Sequence, residues 1–211
     1  LPLNWLSLPA VEQCSRTTEV SAQSPTVVED GGTRQAFVRL AVFGAATAFV
    51  TSAMAAHLPG LLQALGVATG VSIAVSALVG PAQVAARIVE FVAGNRFRVH
   101  PLIVARVASI LHPLGGVIML GGGLAPWAAG CFALLHGAGN GLLTIAKGTL
   151  PLALFGAPGY GARQGLLAVG QRIAQAFAPF LVAVILERWG GWAALLLTGG
   201  LAGVALLALA G

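Results

Sequence analysis

Apolar residues in this sequence come in six long blocks, and block length decides the fold class. A helix that crosses the hydrocarbon core of a bilayer needs about 20 mostly apolar residues. Residues 36–58, 67–89, 102–120, 127–152, 166–186 and 192–210 all meet that requirement. Strands of a membrane barrel would be half as long and would alternate between apolar and polar. Backbone in lipid must also satisfy its own hydrogen bonds, so blocks of this length, separated by breaks such as Pro59-Gly60 and Pro158-Gly159, read as helices. Composition agrees: 57% of residues are hydrophobic and 8% charged, against about a quarter charged in soluble domains. So little charge cannot cover a water-exposed surface. The expected fold is an all-α membrane protein with six transmembrane helices.

The rest of the chain divides around that six-helix transmembrane domain, residues 36–211. Residues 13–35 are rich in Ser, Thr, Glu, Gly and Pro and bury too little apolar area to order themselves, so they read as a flexible cytoplasmic linker. Residues 1–12 begin with a mostly apolar stretch that is too short to span and lacks the basic flank of a signal peptide. They read as the end of a preceding helix, and the chain as a fragment of a longer protein. The formal charge of +5 does not indicate nucleic acid, because the basic residues are scattered singly with no cluster or aromatic interleaving. Cys14 and Cys131 form neither a disulfide framework nor a CxxC metal site. No metal and no cofactor is expected.

Orientation follows from arginine. If the linker is cytoplasmic, successive loops alternate sides, placing 95–101 and 155–165 inside and 59–66, 121–126 and 187–191 outside. Arg34, Arg39, Arg96, Arg98 and Arg163 then fall inside and only Arg188 outside, as the positive-inside rule requires. Trp127, Trp189 and Trp192 lie where an outer aromatic belt would sit.

Polar residues inside spans mark protein contacts or wet cavities, because facing lipid is costly. The last block carries only Thr198. The second carries Gln83, Arg87 and Glu90, the fourth His136, Asn140, Thr144 and Lys147, and the fifth Gln171, Arg172 and Gln175. Steps of three or four residues share a helix face, so the second and fourth blocks each present a polar stripe. Glu90 is spaced to pair with Arg87, leaving Lys147 and Arg172 as cations for an anionic solute. His136 and Asn140 are candidates for substrate hydrogen bonds, and the imidazole for proton exchange near neutral pH. Gly137 and Gly141 have the spacing that lets helices pack closely. Arg106 and His112-Pro113, in the third block, read as a residue snorkelling to the inner surface and a satisfied kink.

Six helices after a polar cytoplasmic linker resemble the C-terminal half of a major facilitator superfamily transporter. Gly94-Asn95-Arg96-Phe97-Arg98 resembles a degenerate copy of that family's Gly-x-x-x-Asp-Arg-x-Gly-Arg-Arg cytoplasmic loop, with Asn95 in place of the acid. The resemblance implies two inverted three-helix repeats, with the first, second, fourth and fifth helices bordering a central cavity shared with a missing N-terminal half of the same protein. It also implies secondary active transport of a small-molecule substrate by alternating access, in a cell membrane, bacterial inner membrane being the expected one.

Other classes fit less well. His136 with Asn140 matches the His-x-x-x-Asn spacing of rhomboid proteases, but no Gly-x-Ser-Gly supplies the nucleophile an intramembrane enzyme would need. The only lysine, Lys147, lies in an apolar block, so no phosphate-binding Gly-x-x-x-x-Gly-Lys-Ser/Thr loop exists. The alternative left open is a self-contained six-helix protein, such as the membrane subunit of an ABC-type machine.

Overall fold

The computed structural model describes residues 31–122 and 125–210. Residues 1–12 and most of the expected linker lie outside the described residues. Six helical elements follow one another: α1 (Gly31–Ala64), α2 (Thr69–Ala77), α3 (Val79–Phe97), α4 (Pro101–Gly122), α5 (Pro126–Phe155) and α6 (Tyr160–Ala208), with no strand among the described residues. Among the described residues α1 runs from Gly31, so residues 31–35, which composition places in the linker, are helical.

Five stretches are long and apolar enough to cross a membrane: Gly32–Ala64, Thr69–Gly94, Pro101–Gly122, Pro126–Phe155 and Tyr160–Ala208. The second is α2 and α3 together, which meet at Leu78 with helical backbone angles. Large apolar side chains stand on the outside, among them Phe91, Phe97, Phe180 and Leu196, a surface that lipid stabilises and water does not. This is the fold of a helical membrane protein.

The helices share two apolar cores, and the order in which each visits them fixes its direction. One core gathers Leu40, Phe43, Val104, Ala105, Leu143, Leu150, Leu167, Ala205 and Leu209. The other gathers Met54, Leu58, Leu61, Met119, Ala128, Phe132, Val182 and Leu195. Helices α1 and α4 run from the first core to the second, and α5 runs back. Helix α6 does both. It passes Leu167 and then Val182, reverses, and returns through Leu195 to Leu209.

The reversal sits at Gly190, whose backbone (φ 77°, ψ −177°) is not helical and belongs to glycine's range. The sequence places an ordinary loop at 187–191; the chain instead turns on this one residue. Just beyond it, Gly191 abuts Leu65 at the end of α1 so closely that a Cβ would lie 2.9 Å from its side chain. The core of Leu40 and Leu209 marks an arginine end, where Arg39 and Arg106 line one cavity and Arg163 donates to the carbonyls of Phe155 and Pro158. Trp127, Trp189 and Trp192 mark the other.

Helix α5 is held by backbone contact. A Cβ on Gly137 would lie 2.7 Å from the Val79 carbonyl oxygen, and one on Gly141 2.5 Å from that of Gln83, both on α3. One on Gly139 would lie 2.9 Å from the Ala108 carbonyl oxygen on α4. The spacing of Gly137 and Gly141 thus has the packing role read from it, and rigid backbone on the far side leaves nothing to move aside. Gly141→Ala is therefore expected to lower stability by about 1–3 kcal/mol through overpacking. Gly148→Ala, where no atom lies within 4 Å, should be neutral or stabilising by up to about 1 kcal/mol from helix propensity. Thermal unfolding in detergent micelles separates the two.

Candidate functional site

Halfway along α1 and α5, polar side chains from four helices converge on a groove. Thr51 on α1, Ser76 on α2, Gln83 on α3, and His136 and Asn140 on α5 line it, with an apolar wall of Met54, Ala55, Leu58, Pro59 and Val79; its volume is ≈ 200 Å³. The glycine contacts of α5 build this place, because they bring Gln83 and Asn140 onto adjacent helices at backbone distance. Thr51 Oγ1 donates to Asn140 Oδ1 at 3.0 Å, fixing the amide's orientation and leaving its NH₂ donors for the groove.

Behind the groove lies a histidine pair. His112 on α4 and His136 on α5 are buried, and their Nδ1 atoms are 2.8 Å apart. The rings meet nearly edge to face, with centroids 4.9 Å apart, and Phe132 packs against both. Read from sequence as a satisfied kink, His112 is satisfied on one side only: its Nε2 is buried without a protein partner.

Towards the arginine end the two polar stripes touch. Arg87 Nη2 donates to Thr144 Oγ1 at 3.1 Å, so the expected Arg87–Glu90 partnership gives way to one across helices. Glu90 leans along α3 towards Gly94, where a Cβ would meet its Oε1 at 3.5 Å. Half-buried Lys147 feels the like charge of Arg172, and Arg172 Nη1 donates to Gln175 Oε1 on its own helix at 3.0 Å. Gln171 fills the gap between α6 and α1, its Nε2 2.8 Å from where Gly44 would carry a Cβ.

Other sequence assignments change. Gly94, Asn95 and Arg96 belong to the last turn of α3 and not to a loop; Arg98 ends the helix in a left-handed conformation, its N–H donating to the Gly94 carbonyl. Arg106 does not snorkel freely, because its Nε and Nη2 both donate to the Leu209 carbonyl, at 3.0 and 2.6 Å. Free carbonyls at a helix end carry partial negative charge, and this arginine caps the end of α6. Cys131 is a free thiol. Among the described residues no three His, Cys, Asp or Glu side chains gather as metal ligands would.

The sequence reading missed the α1 contributions, and prolines explain two of the contacts. A proline inside a helix has no N–H for the carbonyl four residues earlier. Pro179 frees the Gln175 carbonyl, and Ser52 Oγ donates to it at 2.8 Å. Pro151 frees the Lys147 carbonyl, and Gln164 Nε2 donates to it at 3.2 Å. His57 Nε2 lies 2.9 Å from the Pro179 carbonyl oxygen. A serine on one helix facing the position four residues before a proline on another was the available signal, but only the fold pairs those helices.

No family model matches this chain, and no curated protein or solved structure does either.

The proline argument has a measurable consequence. Ser52→Ala should cost about 1 kcal/mol of stability by leaving the Gln175 carbonyl unpaired. In a Pro179→Ala background, where the helix supplies its own N–H to that carbonyl, the same substitution should cost a few tenths. Unfolding all four proteins in a double-mutant cycle reads the difference. Equal costs in both backgrounds would mean that Ser52 does not serve the freed carbonyl.

Proposed function

We propose that this chain is the C-terminal half of a secondary active transporter of the major facilitator kind, moving a small anionic solute by alternating access. The observation that carries the reading is the groove of Thr51, Ser76, Gln83, His136 and Asn140 at mid-depth. Polar groups facing hydrocarbon there are costly, so a groove open on one side calls for a second body of protein across it. A facing N-terminal half would turn it into a closed, hydratable binding site at the interface of the two halves.

Span count fits the reading. The 49 residues of α6 would extend about 74 Å as one straight helix at ~1.5 Å per residue, more than twice the ≈ 30 Å hydrocarbon core. Turning at Gly190, it makes two crossings and brings the total to six, divisible into two three-helix repeats. The arginine end is then cytoplasmic and the tryptophan end outside, in a cell membrane, with the bacterial inner membrane as the expected home. Lys147 and Arg172 supply the attraction for an anion. The chemistry required is binding and release, with no covalent step, so the protein is not an enzyme on this reading.

Two experiments test it. In a cysteine-free background, Ala157→Cys should react with an impermeant maleimide only after cells are permeabilised, and Gly121→Cys in intact cells. The opposite pattern would reverse the orientation. The full-length protein, reconstituted and screened with labelled small carboxylates and phosphates, should show saturable uptake of at least one. Combining Lys147→Ala with Arg172→Ala should lower that uptake ten-fold or more. The described chain alone should show none; saturable uptake by it would favour a self-contained six-helix carrier.

A further inference from the structure

Two cavities meet at the histidine pair. His136 lines the groove together with Gln83 and Asn140. On the other side, His112 and His136 both line a small internal cavity of ≈ 20 Å³ with Thr47, Thr51, Ser109 and Asn140, enough for about one water by the usual ~10–15 Å³ criterion. The pair is thus a partition, one ring reachable from the groove and the other closing the inner cavity.

The contact itself limits what the pair can hold. Two Nδ1 atoms 2.8 Å apart need one proton between them, one ring donating and the other accepting. A neutral pair satisfies this, and so does a pair with one extra proton. A doubly protonated pair does not, because both Nδ1 atoms would carry hydrogens. Charged groups do not complicate the site: α1 contributes Thr47 and Thr51, α2 Ser76, α3 Gln83, α4 Ser109, α5 Asn140 and α6 Ala202, and no Asp, Glu, Lys or Arg lines either cavity.

We propose that His112 and His136 together form a single-proton binding site, loaded from the groove. On the transporter reading, which this step rests on, it is the site of the coupling ion. In the resting pair His136 donates Nδ1–H to His112. A proton arriving from groove water adds to His136 Nε2, the Nδ1 proton moves to His112 Nδ1, and His112 becomes an imidazolium whose Nε2–H points away from the groove. One proton enters, one crosses the contact, and the pair gains one positive charge. With no protein partner at that Nε2, a single water in the cavity lined by Thr47, Thr51 and Ser109 is the acceptor for the Nε2–H. Because the rings sit on α4 and α5, occupancy acts on the contact between those two helices.

The test reads the site without a transported solute. Full-length protein labelled with ¹⁵N-histidine and held in lipid nanodiscs is examined by NMR at pH 8 and at steps down to pH 3.5. His57→Gln and His100→Gln identify the signals of the other two rings of this chain, and the coupling between two Nδ1 atoms marks the pair among any histidines elsewhere in the protein. At pH 8 two of the pair's four ring nitrogens should carry protons, with a scalar coupling between the two Nδ1 atoms. At the acid end three should, with the coupling retained, since a coupled pair titrates as a unit. A count fixed at two, a rise to four, or no coupling at pH 8 would overturn the site. The wild-type count needs no variant in the pair, so misfolding of His112→Gln would not blur it. A third proton without solute uptake keeps the site and sinks the transporter reading; uptake with the count fixed at two does the reverse.

Discussion

Helix α5 is central in this fold because its backbone can touch those of its neighbours. Gly137 and Gly141 meet α3, and Gly139 meets α4, at separations that leave no room for a Cβ. In lipid there is no hydrophobic force between helices, so close van der Waals packing must hold them together. The polar contacts of α5 depend on this approach. Asn140, between the glycines, reaches Thr51, and His136, one residue before Gly137, reaches His112. A bulkier α5 would push both partners beyond hydrogen-bond distance.

The second constraint is that freed backbone carbonyls find partners inside the protein. Pro151 and Pro179 each break one helical hydrogen bond, and each is answered by a side chain from another segment: Gln164 for the Lys147 carbonyl and Ser52 for the Gln175 carbonyl. These bonds tie α5 to the first arm of α6, and that arm to α1. Because a side chain rather than a helical N–H serves each carbonyl, the ties can be remade without unwinding a turn. Prolines placed this way mark where a helix lacks one of its own hydrogen bonds, and Pro151 does so one turn from Lys147.

Much of this was legible because membrane crossing is written in block length, which a single sequence displays. The apolar blocks, the polar stripes of α3 and α5, and the packing role of Gly137 and Gly141 all follow from spacing within one helix. Arg87 bonding Thr144 shows that the two stripes do meet. What stayed hidden depends on pairing between helices. Ser52 with Gln175, 123 residues apart, and His112 with His136, 24 apart, have no spacing rule to betray them. The break at 187–191 was legible from the two apolar blocks that flank it, but not its form, since one residue, Gly190, leaves the helical conformation there. The run of α1 from Gly31, ahead of the first apolar block, reflects a helix continuing past its apolar face into residues that composition assigns to a linker.

The cations near the arginine end have neutral hydrogen-bond partners. Arg87 and Arg172 have a hydroxyl and an amide as hydrogen-bond partners, not carboxylates, and Lys147 lies within reach of Arg172's field. Like charges near one another repel, the more so where water is excluded. A structure that only needed cations at the headgroup level would spread them around the bundle, where lipid phosphates could neutralise each singly. Here two belong to adjoining segments of α5 and α6, and the third is turned from α3 towards α5.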